Sequence, residues 1–167
     1  AKTLVTSCPI CYKSFREDYD LNLKIMHHSE FIPDLISKKK LDIAFTDYKI
    51  VYHDPCELGR GSGICDQPRE LLKAFTEVLS IDNEKTDSLC CGGSLGNLSI
   101  DPEERIRIQK ATTGVLNTPD PDYIATSCPL CRKSIGQYSE KPVRDIAELV
   151  ASNLVSDRTS IKVKNQA

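Results

Sequence analysis

The sequence predicts an α/β fold, a mostly parallel sheet with helices packed on it and cysteines at the C-terminal ends of the strands. Three observations predict it. Strand-type and helix-type segments alternate, each helical segment carries an apolar face, and the cysteine groups fall just after strand-type segments. In an open parallel sheet the strand ends share one edge, where ligands bind, so residues dozens of positions apart can converge there.

The elements follow in order. Thr3-Leu4-Val5 is a β-favouring run that leads into Cys8-x-x-Cys11, and Glu30-Phe31-Ile32 lies in an apolar helical segment. Lys49-Ile50-Val51-Tyr52-His53 reads as a strand ending at Asp54-Pro55-Cys56. A helix is predicted from near Asp66 and Pro68, with Leu71, Leu72, Phe75, Val78 and Leu79 on one face. Thr86 to Leu89 is a short strand candidate running into Cys90-Cys91, and the glycines after it allow a tight turn. Asp101-Pro102-Glu103-Glu104 supplies an N-cap, a proline at the first helical position and first-turn acids, a strong helix start. Ile108, Ala111, Thr112, Val115 and Leu116 continue that helix to the break at Asn117-Thr118-Pro119. Tyr123-Ile124-Ala125 is a third strand, delivering Cys128-x-x-Cys131. A last helix after Val143 carries Ile146, Leu149, Val150 and Leu154, and the polar stretch 156–167 is expected to fray.

An internal repeat divides the chain. Thr6-Ser7-Cys8-Pro9-Ile10-Cys11-Tyr12-Lys13-Ser14 matches Thr126-Ser127-Cys128-Pro129-Leu130-Cys131-Arg132-Lys133-Ser134 at an offset of 120, and Glu30-Phe31-Ile32 matches Glu148-Leu149-Val150 at 118. Two related units are expected: the end of a first in residues 1–44, a complete second in 45–155, then a polar tail, 156–167. The start at Ala1, inside an apparent strand, suggests a fragment of a longer protein.

Composition excludes several function classes. A chain of 167 residues with 40% hydrophobic side chains can build a real core without disulfide staples. No run approaches the ~18 apolar residues of a membrane span, so no direct membrane insertion is expected and the chain reads as cytoplasmic. Net charge is −2, with 22 basic and 24 acidic residues interspersed, so no basic stripe exists to follow nucleic acid.

The eight cysteines carry the chemistry. From Cys56 there are 33 residues to the adjacent pair Cys90-Cys91, then 36 to Cys128-x-x-Cys131. A disulfide between the neighbours Cys90 and Cys91 would close a strained ring, so metal ligation is the better reading. Zinc takes four thiolates around one ion and has no use for both members of the pair. An iron-sulfur cluster is favoured, with five thiols where a cubane needs four. Cys65 has no partner at a motif spacing and reads as a buried small thiol. His53, beside Cys56, is a candidate to hydrogen-bond a cluster sulfur or protonate a leaving thiolate, although a plain structural hydrogen bond is the simpler role. His27, His28 and Glu30 form a conceivable metal trio, but a helix start explains them better. Arg60 and Arg69 could face an anionic substrate or the cluster's charge, against the plainer reading of solvated arginines. Lys38-Lys39-Lys40 reads as a solvated face.

The spacing Cys56, Cys90-Cys91-Gly92, Cys128-Pro129-Leu130-Cys131 resembles the cysteine-rich CCG domain of heterodisulfide reductase catalytic subunits. The same domain occurs in iron-sulfur subunits of glycolate, lactate and glycerol-3-phosphate dehydrogenases. His53-Asp54-Pro55-Cys56 with Leu58-Gly59-Arg60, and Pro68-Arg69-Glu70-Leu71-Leu72, are also similar to that family. The resemblance implies an α/β domain whose five cysteines, Cys56, Cys90, Cys91, Cys128 and Cys131, bind a noncubane [4Fe-4S] cluster. It implies a redox subunit that transfers electrons and can cleave a thiol-thiol disulfide. Its implied partners are other redox subunits or a flavoprotein donor and a thiol or disulfide substrate, with membrane association only through a partner. A zinc-stabilised docking module is the alternative, as is an electron-transfer subunit of a 2-hydroxyacid dehydrogenase. Cys8 and Cys11 would close a first copy; the chain departs from the family by shortening the glycine run to Gly92-Gly93-Ser94.

Overall fold

A computed structural model describes residues 1–93 and 95–155, excluding the Leu95 side chain; the polar tail 156–167 lies outside the described residues. Two sheets form, both wholly parallel. The smaller pairs β1 (Thr3–Thr6) with β2 (Lys24–His27). The larger is built from β3 (Lys49–His53), β4 (Glu77–Leu79), β5 (Tyr123–Thr126) and β6 (Val143–Asp145), in the order β4-β3-β5-β6. Around them lie α1 (Pro9–Glu17), α2 (His28–Ser37), α3 (Cys56–Ser62), α4 (Asp66–Lys73), α5 (Pro102–Asn117), α6 (Pro129–Gly136) and α7 (Ile146–Ser152). The predicted α/β class is the observed one.

The two central strands β3 and β5 read as short apolar runs because both faces of a parallel sheet are covered. Side chains alternate across the sheet, so neighbours in sequence serve different cores. Ile50 and Tyr52 pack with Leu71 and Leu72 of α4, Phe75, and Ile146 and Leu149 of α7. Val51 and Ile124 face the other way, against Leu116 of α5 and Ile135 of α6. That second core also contains Cys91, Cys128 and Cys131, so three of the candidate ligands lie in an apolar layer. A third cluster, Tyr12, Leu58 and Ile64, joins α1 to α3.

The repeat is visible in three dimensions. The order β1-α1-β2-α2 recurs as β5-α6-β6-α7, with strand paired to strand in parallel in both copies. His27 and Asp145 occupy equivalent N-cap positions, and Glu30 and Glu148 complete a reciprocal capping box in each. The copies meet where His28 Nε2 lies 2.9 Å from Asp145 Oδ1.

Three sequence expectations are corrected. The helix begun at Asp66 stops at Lys73, and Val78 and Leu79 lie in β4. Here tertiary pairing overrides the helical period: Thr76 Oγ1 and Glu77 N–H both donate to the Tyr48 carbonyl and lead the chain into register beside β3. Thr86 to Leu89 is not a strand: the Lys85 N–H is taken by Asp54, and the carbonyls of Thr86 and Ser88 by Arg60. A 3-10 turn, Lys85–Asp87, replaces it, so Cys90-Cys91 follows a loop and not the middle strand. Finally, Val143 opens the strand β6 before α7 begins, and β2 likewise stands where no strand is expected from the sequence. Among the described residues no helix is long and apolar enough to cross a membrane.

Candidate functional site

Register brings the first and last cysteine groups together. His53 pairs with Thr126 at the ends of β3 and β5, so Cys56 and Cys128 both emerge just beyond the same edge. Cys56 opens α3 behind Pro55, while Cys128 is the N-cap of α6 with Pro129 at the first helical position. Cys131 follows one turn later, buried against the second core.

The adjacent pair is brought to that edge by polar bolts that sequence reasoning missed. Asp54 and Arg69 form a buried two-pronged ion pair, Nη1 to Oδ1 at 2.5 Å and Nη2 to Oδ2 at 2.6 Å. Asp54 also accepts from the Lys85 N–H at 2.8 Å, and its carbonyl accepts from Ser88 Oγ at 2.9 Å. Arg60 donates to the carbonyls of Thr86 and Ser88 at 3.0 and 2.6 Å. Arg69 is buried and holds Asp54, in the loop before Cys56, while Arg60 of α3 is exposed and holds the carbonyls of the loop before Cys90. His53 completes the fastening, donating from Nε2 to the Leu89 carbonyl at 3.2 Å while Nδ1 takes a 3.4 Å contact from Thr126 Oγ1. Burial lowers its pKa, keeping the ring neutral as this pattern requires. His53 thus reaches all three cysteine-bearing segments, as a positioning residue.

The pair itself is clamped from the opposite side. Thr112 of α5 donates to the Cys90 carbonyl at 2.7 Å, and Ser134 of α6 to the Cys91 carbonyl at 2.5 Å. Gln109 donates to Ser134 Oγ at 2.9 Å. The two glycines are needed for this fit. Gly92 has φ +68°, and a Cβ there would sit 2.8 Å from Gln109 Cγ; a Cβ on Gly93 would sit 2.8 Å from Ser134 Cβ. Gln109 and Thr112 sit on the buried side of α5, and polar residues on a core-facing stripe are the sequence signal that could have revealed the clamp.

The five thiols form one continuous chain of neighbours: Cys56 beside Cys90, Cys90 beside Cys91, Cys91 beside Cys131, and Cys131 beside Cys128. Contact with the Cys56 and Cys91 thiols, helped by the Gly92 N–H at 3.4 Å and the Asn97 amide at 3.5 Å, pulls Cys90 far below the usual thiol range. The Cys131 thiol and the N–H groups of Cys131 and Leu130 at the start of α6 bring Cys128 to about 7 against its burial. Cys91 is lowered by Cys131 but raised more by Cys90 and burial, and stands at about 11. Cys56 is pushed up by Cys90 and burial, and Cys131 by Cys128, Cys91 and burial. Five thiolates this close repel one another, so all can ionise together only around a strongly cationic centre.

That donor set fits a metal group. Among the described residues no three Cys, His, Asp or Glu side chains gather as ligands of one ion do. Five neighbouring thiols are the donor type that both zinc and iron-sulfur groups take. The residues match the family described as CCG: Cysteine-rich domain over 50–136, more than half of the chain and a span that holds all five of these cysteines.

The chain belongs to that family.

The CCG chain is 32% identical over 142 residues to the EtfAB:quinone oxidoreductase of Syntrophomonas wolfei, covering 78% of the chain and 20% of that protein. It is 30% identical over 168 residues to a subunit of the dihydromethanophenazine:CoB--CoM heterodisulfide reductase of Methanosarcina mazei, covering 92% and 41%. It is also 30% identical over 167 residues to the probable iron-sulfur-binding oxidoreductase FadF of Bacillus subtilis, covering 92% and 24%. The chain thus spans between about a fifth and two fifths of the curated relatives it matches.

The remaining candidates separate cleanly. Cys8 caps α1, accepting from the Cys11 N–H at 3.4 Å; burial raises its pKa, and Cys128 is close enough to add to that rise. Cys11 is exposed and Cys8 partly buried. Pro9 and Ile10 nevertheless line the small pocket that exposes Cys56, Cys91, Cys128 and Cys131, so the first copy walls the second copy's site. Cys65 is buried, and a Cβ on Gly59 would lie 3.3 Å from its sulfur, the packing role expected of it. His27 and Glu30 are committed to the start of α2 and form no metal trio.

Proposed function

We propose that Cys56, Cys90, Cys91, Cys128 and Cys131 hold a noncubane [4Fe-4S] cluster and that the chain is a redox domain of an iron-sulfur oxidoreductase. One observation carries the reading: five neighbouring thiols brought together from three separated segments, four of them lining one small pocket. The relatives named as iron-sulfur-binding oxidoreductase and heterodisulfide reductase support it. The group would supply one-electron chemistry and a site for a sulfur ligand; the protein's own contribution is different. His53, the Asp54–Arg69 pair and Ser134 hold the thiols in place, Gly92 N–H and the Asn97 amide donate toward the Cys90 sulfur, and Pro9 with Ile10 forms one wall of the thiol pocket.

Cleavage of a thiol-thiol disulfide is the finer form of this proposal, and transfer of electrons to or from other redox subunits or a flavoprotein the coarser one. Residues 1–44 are read as the closing part of a first unit and 45–155 as a full second unit; a location in the cytoplasm, with membrane association only through a partner, belongs to the same reading. Anaerobic purification and reconstitution, with iron and sulfide analysis and electron paramagnetic resonance, test it. A brown protein with a cluster signal is expected. A colourless protein holding stoichiometric zinc, or one that takes up no iron, would refute it in favour of the zinc-stabilised docking module.

A further inference from the structure

Behind the thiol pocket lies a second, open groove of about 350 Å³ between α5 and α6. Gly93, Arg105, Ile106, Lys133 and Tyr138 line it. Leu130, between the two cysteines of the last motif, borders both spaces and stands between the groove and the thiols. Cations on the same helices are otherwise engaged: Arg107 with Glu104 and Arg132 with Glu148. Arg105 and Lys133 have no carboxylate partner among the described residues. Lys110 adds a third positive charge beside Tyr138, 5.7 Å from its ring centre. Ile106, 37% exposed, adds apolar contact surface to a groove that is otherwise lined mainly by polar side chains.

We infer that this groove is the docking surface for a small acidic electron-carrier protein, which delivers or collects one electron across the Leu130 wall. The inference rests on the iron-sulfur reading and names the partner's chemistry. Charge complementarity selects the occupant. Unpaired cations on two neighbouring helices, in a mainly polar groove, suit carboxylates spread over a protein face. A small anion would want buried donors converging on one point, and nucleic acid a basic stripe that this chain of net charge −2 lacks. Electrons balance without further reagents: the reduced carrier loses one electron and the iron-sulfur group gains it, with no bond made or broken. Weak, wet, salt-sensitive contacts are the norm for such encounters.

The test uses a reduced plant-type acidic [2Fe-2S] ferredoxin as the probe and the reconstituted chain, with binding followed by calorimetry at low and high salt. The parent chain is expected to bind at low salt and release at high salt. R105E/K133E is expected to weaken binding at least about tenfold and flatten its salt dependence, with R105Q and K133Q intermediate. K39E/K40E, on the loop after α2, is expected to bind as the parent does. Circular dichroism and iron content are measured on every sample. Equal binding by parent and R105E/K133E, equal weakening by K39E/K40E, or no binding by the parent at low salt would each overturn the inference. A parent that binds the ferredoxin yet takes up no iron would instead refute the iron-sulfur reading while leaving the groove assigned as an acidic-protein site.

Discussion

Two hexapeptides of this chain, Thr6 to Cys11 and Thr126 to Cys131, differ at a single position, Ile10 against Leu130, and fold alike. Each ends a strand, caps a helix with its first cysteine and places proline at the first helical position. Their fates differ. Cys128 and Cys131 are buried beside Cys91 in an apolar layer, whereas Cys11 is exposed and Cys8 half-buried. The difference is not local. β5 has β3 on one side and β6 on the other, so Cys56 arrives from the neighbouring strand; β1 pairs only with β2 among the described residues. A Cys-x-x-Cys motif at a strand end is a half-site, and the parallel neighbour decides whether it becomes a site.

The comparison can be broken or sharpened in graded steps. Removing a ligand has the largest expected effect: Cys90→Ser or Cys128→Ser should abolish stable iron uptake, exceeding the ~10–100-fold cost typical of outer partners. Cys11→Ser should leave iron content unchanged, and loss of iron there would mean the first motif is also a ligand set. Next comes the bolt that the second site has around Asp54. Arg69→Ala leaves a buried carboxylate unpaired and should cost about 3–5 kcal/mol in urea unfolding, with Cys90 freed for alkylation. A change of a few tenths would show that the pair does not carry the loop.

The seam between the copies gives a pH effect of intermediate size. Burial, with the neighbouring His28 ring, depresses His27 to about 3 although Asp145 and the backbones of Ser7 and Ser127 pull it back up. The unfolded chain binds a proton near 6.5 that the folded chain refuses. Stability should therefore be full above that value and fall as pH drops, by about 2 kcal/mol between pH 7 and pH 5. His27→Asn should reduce that slope in urea melts at the two pH values, the buried His53 with its lowered pKa leaving a remainder, and an unchanged slope would place the effect elsewhere. Gly92→Ala is expected to cost about 1–2 kcal/mol through its left-handed backbone, plus the clash with Gln109. Gly63→Ala shares the positive φ but meets nothing within 4 Å, so it should cost less. Equal costs in thermal melts would mean that the close packing of the pair's glycine is not what matters.

Much of this is legible in the chain. The strands β3 and β5, the start of α5 at Asp101-Pro102 and the position of α7 follow from local signals strong enough to survive folding. The boundary between α4 and β4 is not legible, because Leu71, Leu72, Phe75, Val78 and Leu79 satisfy a helical period and only the competition with Tyr48 shows where it ends. The strand expected at 86–89 fails because distant side chains take its backbone groups, Arg60 binding the carbonyls of Thr86 and Ser88. At the site, spacing and the family resemblance single out the five cysteines whose thiols the fold brings together. Neither can reveal Asp54 with Arg69, or Ser134 with Cys91, since each joins residues whose proximity is created by the fold.

The central claim is that five thiols act together on one multi-iron group while Cys8 and Cys11 stand apart. Native mass spectrometry of the anaerobically reconstituted chain tests it most directly. The predicted result is a single added mass of about four iron and four sulfide ions, retained in C8S/C11S and lost in C56S. A single zinc ion, or an increment lost in C8S/C11S and kept in C56S, would contradict it.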